Sequence, residues 1–239
     1  MGKHPGTAVI FIHGIQGRPE QFDFLIASLP KDVSVHAPLL PGHGGSIRDF
    51  KRTGKEAWLD CVRQEIAQCL DAYDRVFFVG HSMGCLLGLL AARALNAGLS
   101  GMLLLCCPFS IRLTPRYLYN NILSAVTRGN TKDPFIRAAW EATNIHERNL
   151  FRYLGAFRPF LDLFTLMKQA RHLPPGWRFP ILFCFSQRDE IVSPASAKIA
   201  EAAAGTKALS LSGCGHNYFT SEARSTLIRE LGRLLTSRK

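Results

Sequence analysis

The chain has 239 residues, 47% hydrophobic and 20% charged, with 29 Lys and Arg against 18 Asp and Glu and a formal charge of +11. This composition fits one globular domain carrying an insertion and argues against two equal domains or a low-complexity chain. The seven cysteines are odd in number, fall mostly in apolar runs and form no C-x-x-C pair, so the expectation is buried reduced thiols with neither a disulfide frame nor a metal cluster.

No run of 18 apolar residues occurs, and residues 1–7 lead straight into a short strand without the long apolar segment of a signal peptide. A cytoplasmic protein without a membrane span is expected. The positive charge has two readings, a solvated basic surface or attraction to an anionic surface or substrate.

In chain order, Ala8 to Ile12 is a continuous apolar run of the kind buried on both faces of a parallel sheet. Glu20 to Leu29 reads as a short amphipathic helix and Val33 to Ala37 as a second strand. Glu56 to Tyr73 is a longer amphipathic helix, with Trp58, Val62, Ile66, Cys69 and Leu70 on its apolar face. Arg75 to Val79 and Gly101 to Cys106 are the third and fourth strands. From about Pro108 to Gly176 the rhythm gives way to helical pieces broken at Thr114-Pro115, Gly129-Asn130 and Asp133-Pro134. It then resumes with strand Ile181 to Phe185, helix Ala195 to Ala204, strand Lys207 to Leu211 and helix Ser221 to Leu235. Alternating β and α units imply an α/β fold of about six mostly parallel strands flanked by helices, with a helical cap inserted between the fourth and fifth strands.

The third strand runs directly into Gly80-His81-Ser82-Met83-Gly84, and an apolar, small-residue helix follows. G-x-S-x-G at a strand-to-helix junction is a nucleophile elbow, a strained turn that lifts a serine hydroxyl above a sheet. The plainer alternative is that Ser82 only caps the helix. A serine needs a base, an acid to orient that base, and donors for an oxyanion. Asp189 follows the fifth strand, with Glu190 beside it as the alternative acid. His216 lies in the loop after the last strand; His4, His36, His146 and His172 occupy the tail, a strand or the insertion. His81 reads as a packing residue of the elbow. The N–H of Met83, and that of Ile15 in the loop His13-Gly14-Ile15-Gln16-Gly17, are the candidate oxyanion donors.

Ile10 to Gly14, Pro41-Gly42-His43-Gly44, Gly80 to Gly84, Asp189-x-x-Val192-x-Pro194 and Gly215-His216 together resemble the α/β-hydrolase superfamily, and within it the small bacterial carboxylesterases and monoacylglycerol lipases. The resemblance implies a short-form core from residues 1–108 and 177–239, with residues 109–176 as a lid or cap. It implies Ser82 as nucleophile, Asp189 as acid, His216 as base, and Ile15 and Met83 as the oxyanion hole. A triad of this kind needs no cofactor, and no metal is expected from the spacing of the cysteines and histidines. Relatives usually carry a second glycine where this chain has Cys85, a swap that bears on elbow packing.

The expected reaction is cleavage of a small acyl ester. Thioesterase, acyltransferase and carbon–carbon hydrolase chemistry share the same triad, and a non-catalytic ligand receptor on this fold is the alternative of another class. The insertion holds ten Arg and Lys against four Asp and Glu over residues 110–176, interleaved with aromatics. Leu150, Leu154, Phe157, Leu161 and Phe164 form one apolar helix stripe, read either as packing the cap onto the core or as part of a roof over an acyl pocket. The basic residues suit transient contact with lipid headgroups or another anionic surface; dispersed arginines without a recognition motif argue against nucleic acid.

Overall fold

The computed structural model describes residues 4–112, 114–145, 157–174, 176–202 and 206–237. A single six-stranded parallel sheet forms its centre. Its strands are β1 (His4–Ile12), β2 (Val33–His36), β3 (Tyr73–His81), β4 (Gly101–Leu105), β5 (Ile181–Ser186) and β6 (Thr206–Leu211). They lie in the order β2-β1-β3-β4-β5-β6. The chain passes from β1 outward to β2, then returns to place β3 on the opposite side of β1. The carboxyl ends of β1 and β3 therefore flank the point where strand order reverses, which is where open α/β sheets form a crevice.

The helices named below are α1 (Asp23–Ile26), α2 (Ile47–Arg52), α3 (Lys55–Ala72), α4 (Met83–Ala94), α5 (Pro115–Thr127), α6 (Pro134–Ala142), α7 (Phe157–Arg171), α8 (Ala195–Glu201) and α9 (Ser221–Thr236). Strand alternation splits the core into two layers. Ala8, Ile10, Ile12 and Phe78 join Trp58, Val62 and Ile66 of α3 and Leu86 of α4 on one face. Val9, Phe11, Phe77 and Val79 meet Leu25 of α1 and Leu227 and Leu231 of α9 on the other. The central strands are buried on both sides, which is why their sequences read as unbroken apolar runs.

The expected helix from Glu20 to Leu29 is much shorter. A 3₁₀ turn at Pro19–Phe22 leads into the single turn of α1. Only Phe22 and Leu25 of this stretch are fully buried, and the Ser28 hydroxyl donates to the Leu25 carbonyl at 2.7 Å, drawing the backbone out of helical pairing. Helix α2 lies outside the elements expected from periodicity and is started by a capping box between Ser46 and Asp49, with the Asp49 carboxylate accepting from the Ser46 N–H at 2.9 Å. The insertion between β4 and β5 is helical and contains α5, α6 and α7. Two of its sequence breaks are helix starts, where Thr114 and Asp133 cap the N-termini ahead of Pro115 and Pro134. Among the described residues no helix is long and apolar enough to cross a membrane.

Candidate active site

β1 and β3 pair in register, with Ile12 opposite Gly80, so the loops that leave them start level with one another. Ser82 follows β3 with φ 51° and ψ −121°, a conformation an L-residue holds only when its surroundings enforce it, at about 1–3 kcal/mol. The Ser82 N–H donates to the Leu105 carbonyl at 2.9 Å, and the Cys85 N–H donates to the Ser82 carbonyl at 3.0 Å, pinning the turn on both sides. The turn also needs bare backbone: a Cβ on Gly84 would run into the carbonyl of Ile12. Cys85, the departure from the usual second glycine, is fully buried and its thiol donates to the Leu105 carbonyl at 3.2 Å, so its larger side chain is absorbed against β4.

Ser82 is the N-cap residue of α4 by position, yet its side chain makes no capping bond. Its Oγ lies 3.0 Å from His216 Nε2 instead. His216 Nδ1 lies 3.0 Å from Oδ2 of Asp189, and both side chains are nearly sealed from solvent. With its proton on Nδ1, the imidazole donates to Asp189 and accepts from the Ser82 hydroxyl. Asp189 is itself fixed, because its Oδ1 accepts the N–H groups of Ile191 at 2.9 Å and Val192 at 2.7 Å. Burial opposes ionisation of both groups. For Asp189, the facing imidazole and these N–H bonds outweigh burial and hold the carboxyl below its usual range. For His216, burial is outweighed by the charge and hydrogen bond of Asp189 and by the charge of Glu190, and the net shift is upward.

The other candidate acid, Glu190, faces the histidine's main chain, not its ring: its Oε2 accepts the His216 N–H at 2.9 Å. His81 Nε2 donates to the His216 carbonyl at 2.9 Å, and burial drives its pKa down to about 3, so it stays neutral and props the loop. Behind the other wall, His13 Nδ1 donates to the Gly14 carbonyl at 2.8 Å while its Nε2 accepts from the Leu40 N–H at 3.0 Å. These bonds hold the glycine loop so close that a Cβ on Gly14 would stand 3.0 Å from the Ser82 Cβ. Among the described residues, no protein acceptor takes the N–H of Ile15 or of Met83, the two candidate oxyanion donors.

A cavity of about 300 Å³ opens over Ser82 and His216. Gly14, Ile15 and Gly17 line its floor, and Ala139, Phe160, Leu163 and Phe164 of the insertion line its roof. The apolar stripe read from sequence is only partly described, since Leu150 and Leu154 lie outside the described residues. Its remaining members Phe157, Leu161 and Phe164 are exposed on α7, whereas Leu163, Leu166 and Met167 face inward. Packing onto the core thus falls to the residues between the stripe positions, because α7 is apolar on more than one face. Tyr119, Ile122 and Val126 of α5 are exposed too.

Among the described residues, two groups of side chains stand close enough to share a metal ion, a proximity that sequence spacing did not suggest: His81, Cys106 and His216, and His36, Glu65 and Cys69. In the first, His216 is committed to Ser82 and Asp189, and the Cys106 thiol to Ser186 at 3.4 Å. In the second, His36 Nδ1 already meets Glu65 at 2.8 Å.

The model of a family described as "Alpha/beta hydrolase family" matches residues 9–229. Comparison with curated proteins gave no match. Among solved structures, one reported with the metagenome-derived lipolytic enzymes LipS and LipT is similar at TM-score 0.71 and 18% identity, covering 99% of this chain and 96% of that one. A monoacylglycerol lipase from Paleococcus ferrophilus is similar at TM-score 0.64 and 18% identity, covering 97% and 96%. A thioesterase domain from the curacin biosynthetic pathway is similar at TM-score 0.61 and 15% identity, covering 97% and 92%. At these identities the likeness is one of fold.

Proposed function

The chain belongs to the alpha/beta hydrolase family, and from that membership we propose that it is a serine hydrolase cleaving carboxylic esters through an acyl-enzyme. The observation that carries this reading is the unbroken chain of short contacts from Ser82 Oγ through the His216 ring to Asp189. In this mechanism His216 Nε2 takes the proton as Ser82 Oγ attacks the ester carbonyl. Asp189 holds the ring in the tautomer that leaves Nε2 free to accept, and stabilises the imidazolium that forms. The oxyanion is received by the N–H groups of Ile15 and Met83. His216 then hands its proton to the departing alcohol, and water repeats the cycle on the acyl-enzyme.

The substrate we assign is a short-to-medium acyl ester of the monoacylglycerol kind, its acyl chain in the cavity under Phe160, Leu163 and Phe164. The fold likeness to lipolytic enzymes and a monoacylglycerol lipase supports this choice. The likeness to a thioesterase domain favours a second reading, thioester hydrolysis by the same residues. Parallel assays on p-nitrophenyl esters, monoacylglycerols and acyl-CoA separate the two. Turnover of acyl-CoA alone would replace the first reading with the second, and a Ser82→Ala variant active on esters would remove both.

A further inference from the structure

We propose that Glu190 is a specificity-determining residue of the cavity, an acceptor for a hydroxyl or ammonium hydrogen-bond donor carried by the alcohol part of the substrate. The assignment rests on the ester reading above. Glu190 is more than nine-tenths buried and lines the cavity over Ser82. It sits where three segments meet. Its Oε2 accepts the His216 N–H at 2.9 Å, its main-chain carbonyl accepts from the N–H and hydroxyl of Thr114 at 3.2 and 3.1 Å, and Asn120 of α5 reaches its Oε1 at 3.4 Å.

A carboxylate offers about four acceptor positions and is costly to bury unless they are used. Here one short bond and one long one occupy the two oxygens, and among the described residues no Lys or Arg pairs with the acid. Its remaining capacity borders the cavity, whose other walls include Ile15, Ile111, Phe160, Leu163 and Phe164. The lining is mainly apolar by area, with neutral polar side chains such as Gln16, Asn121 and Thr143 and a single acid, Glu190, in its wall. An ester with an apolar tail and a donor-bearing head matches both parts.

The proposal places the alcohol part of the ester at Glu190, beside the histidine that serves the departing oxygen. The departing oxygen must come within reach of His216 Nε2 to collect its proton, and Glu190 braces that same histidine. In this arrangement a substituent on the alcohol is the part that meets Glu190. An ester with no donor there leaves the buried acid unsatisfied, and sites built around a buried polar group reject ligands that cannot pair with it.

The test compares kcat/KM for three esters of one fatty acid: 2-hydroxyethyl, 2-(dimethylamino)ethyl and propyl. We expect the wild-type protein to favour at least one donor-bearing ester over the propyl ester by about tenfold or more. The hydroxyl and ammonium arms tell which donor it takes. Glu190→Gln keeps an acceptor for the His216 N–H but loses the charge, so the preference should shrink severalfold whatever happens to the absolute rate. A purely structural Glu190 predicts equal losses on all three esters, and an unchanged ratio would overturn the assignment. Should E190Q not fold, the wild type still decides. Ethylene glycol or protonated dimethylaminoethanol should shield Ser82 from a fluorophosphonate better than propanol does, and equal shielding with a wild-type ratio near one refutes the proposal. Absence of turnover on every ester would contradict the hydrolase reading itself, which sets that failure apart.

Discussion

Gly84, in the first turn of α4, is pressed against the backbone carbonyl of Ile12 at the end of β1. This contact joins the elbow to the neighbouring strand and sets how near Ser82 can come to the glycine loop at Gly14. Any side chain at position 84 must push the two apart. Gly84→Ala should therefore destabilise the protein by about 3 kcal/mol or more, the upper range for overpacking against rigid backbone. Urea unfolding measures it, and a loss under about 1 kcal/mol would mean that the elbow yields.

The pH dependence of kcat/KM follows from His216. In the proposed mechanism only the neutral imidazole accepts the Ser82 proton, so activity should rise as pH climbs through the pKa of His216. That pKa is raised by the charge and hydrogen bond of Asp189 and the charge of Glu190, against burial, so the acidic limb should lie above the ordinary histidine value. His81 shares the pocket but stays neutral, since burial takes its pKa to about 3. In E190Q the limb should move to lower pH. A limb at or below the ordinary value in the wild type would contradict this electrostatic account.

Asp189→Asn should preserve the shape of the site while removing the charge opposite His216 Nδ1, and kcat should fall by about 10³- to 10⁴-fold, as for acids of this role elsewhere. Steady-state kinetics with circular dichroism checks both parts. A fall of less than about tenfold would return Glu190 to candidacy as the orienting acid.

The cavity under Phe160, Leu163 and Phe164 should make kcat/KM increase with acyl length from acetate upward, until the chain outgrows about 300 Å³. A p-nitrophenyl ester series tests this, and a flat profile would remove the acyl assignment. Leu163→Arg, which places a charge in the roof, should lower kcat/KM more for long esters than for acetate.

The core was readable because its residues obey local rules. Ala8 to Ile12 and Val76 to Val79 are apolar without interruption since β1 and β3 are buried on both faces, and Trp58, Val62 and Ile66 repeat at helical spacing since α3 covers one of them. The order of Ser82, Asp189 and His216 was readable for the same reason, each lying just past a predicted strand. Glu190 was not. Sequence presented it as a rival to Asp189, and only the loop geometry turns one carboxylate to the His216 ring and the next to its main chain. The insertion was the least legible part, because α7 is apolar on several sides and periodicity alone cannot say which side meets the core. There the inward face belongs to Leu163, Leu166 and Met167, and not to the evenly spaced Phe157, Leu161 and Phe164.

Covalent labelling with a fluorophosphonate, read by peptide mass spectrometry beside an ester-hydrolysis assay, probes the nucleophile itself. One adduct is expected, on Ser82, formed in step with loss of activity. Ser82→Ala should neither label nor turn over ester beyond about 10⁻⁴ of the wild-type rate, while remaining folded. An adduct on another residue, or an S82A protein that still hydrolyses esters, would rule out Ser82 as the nucleophile.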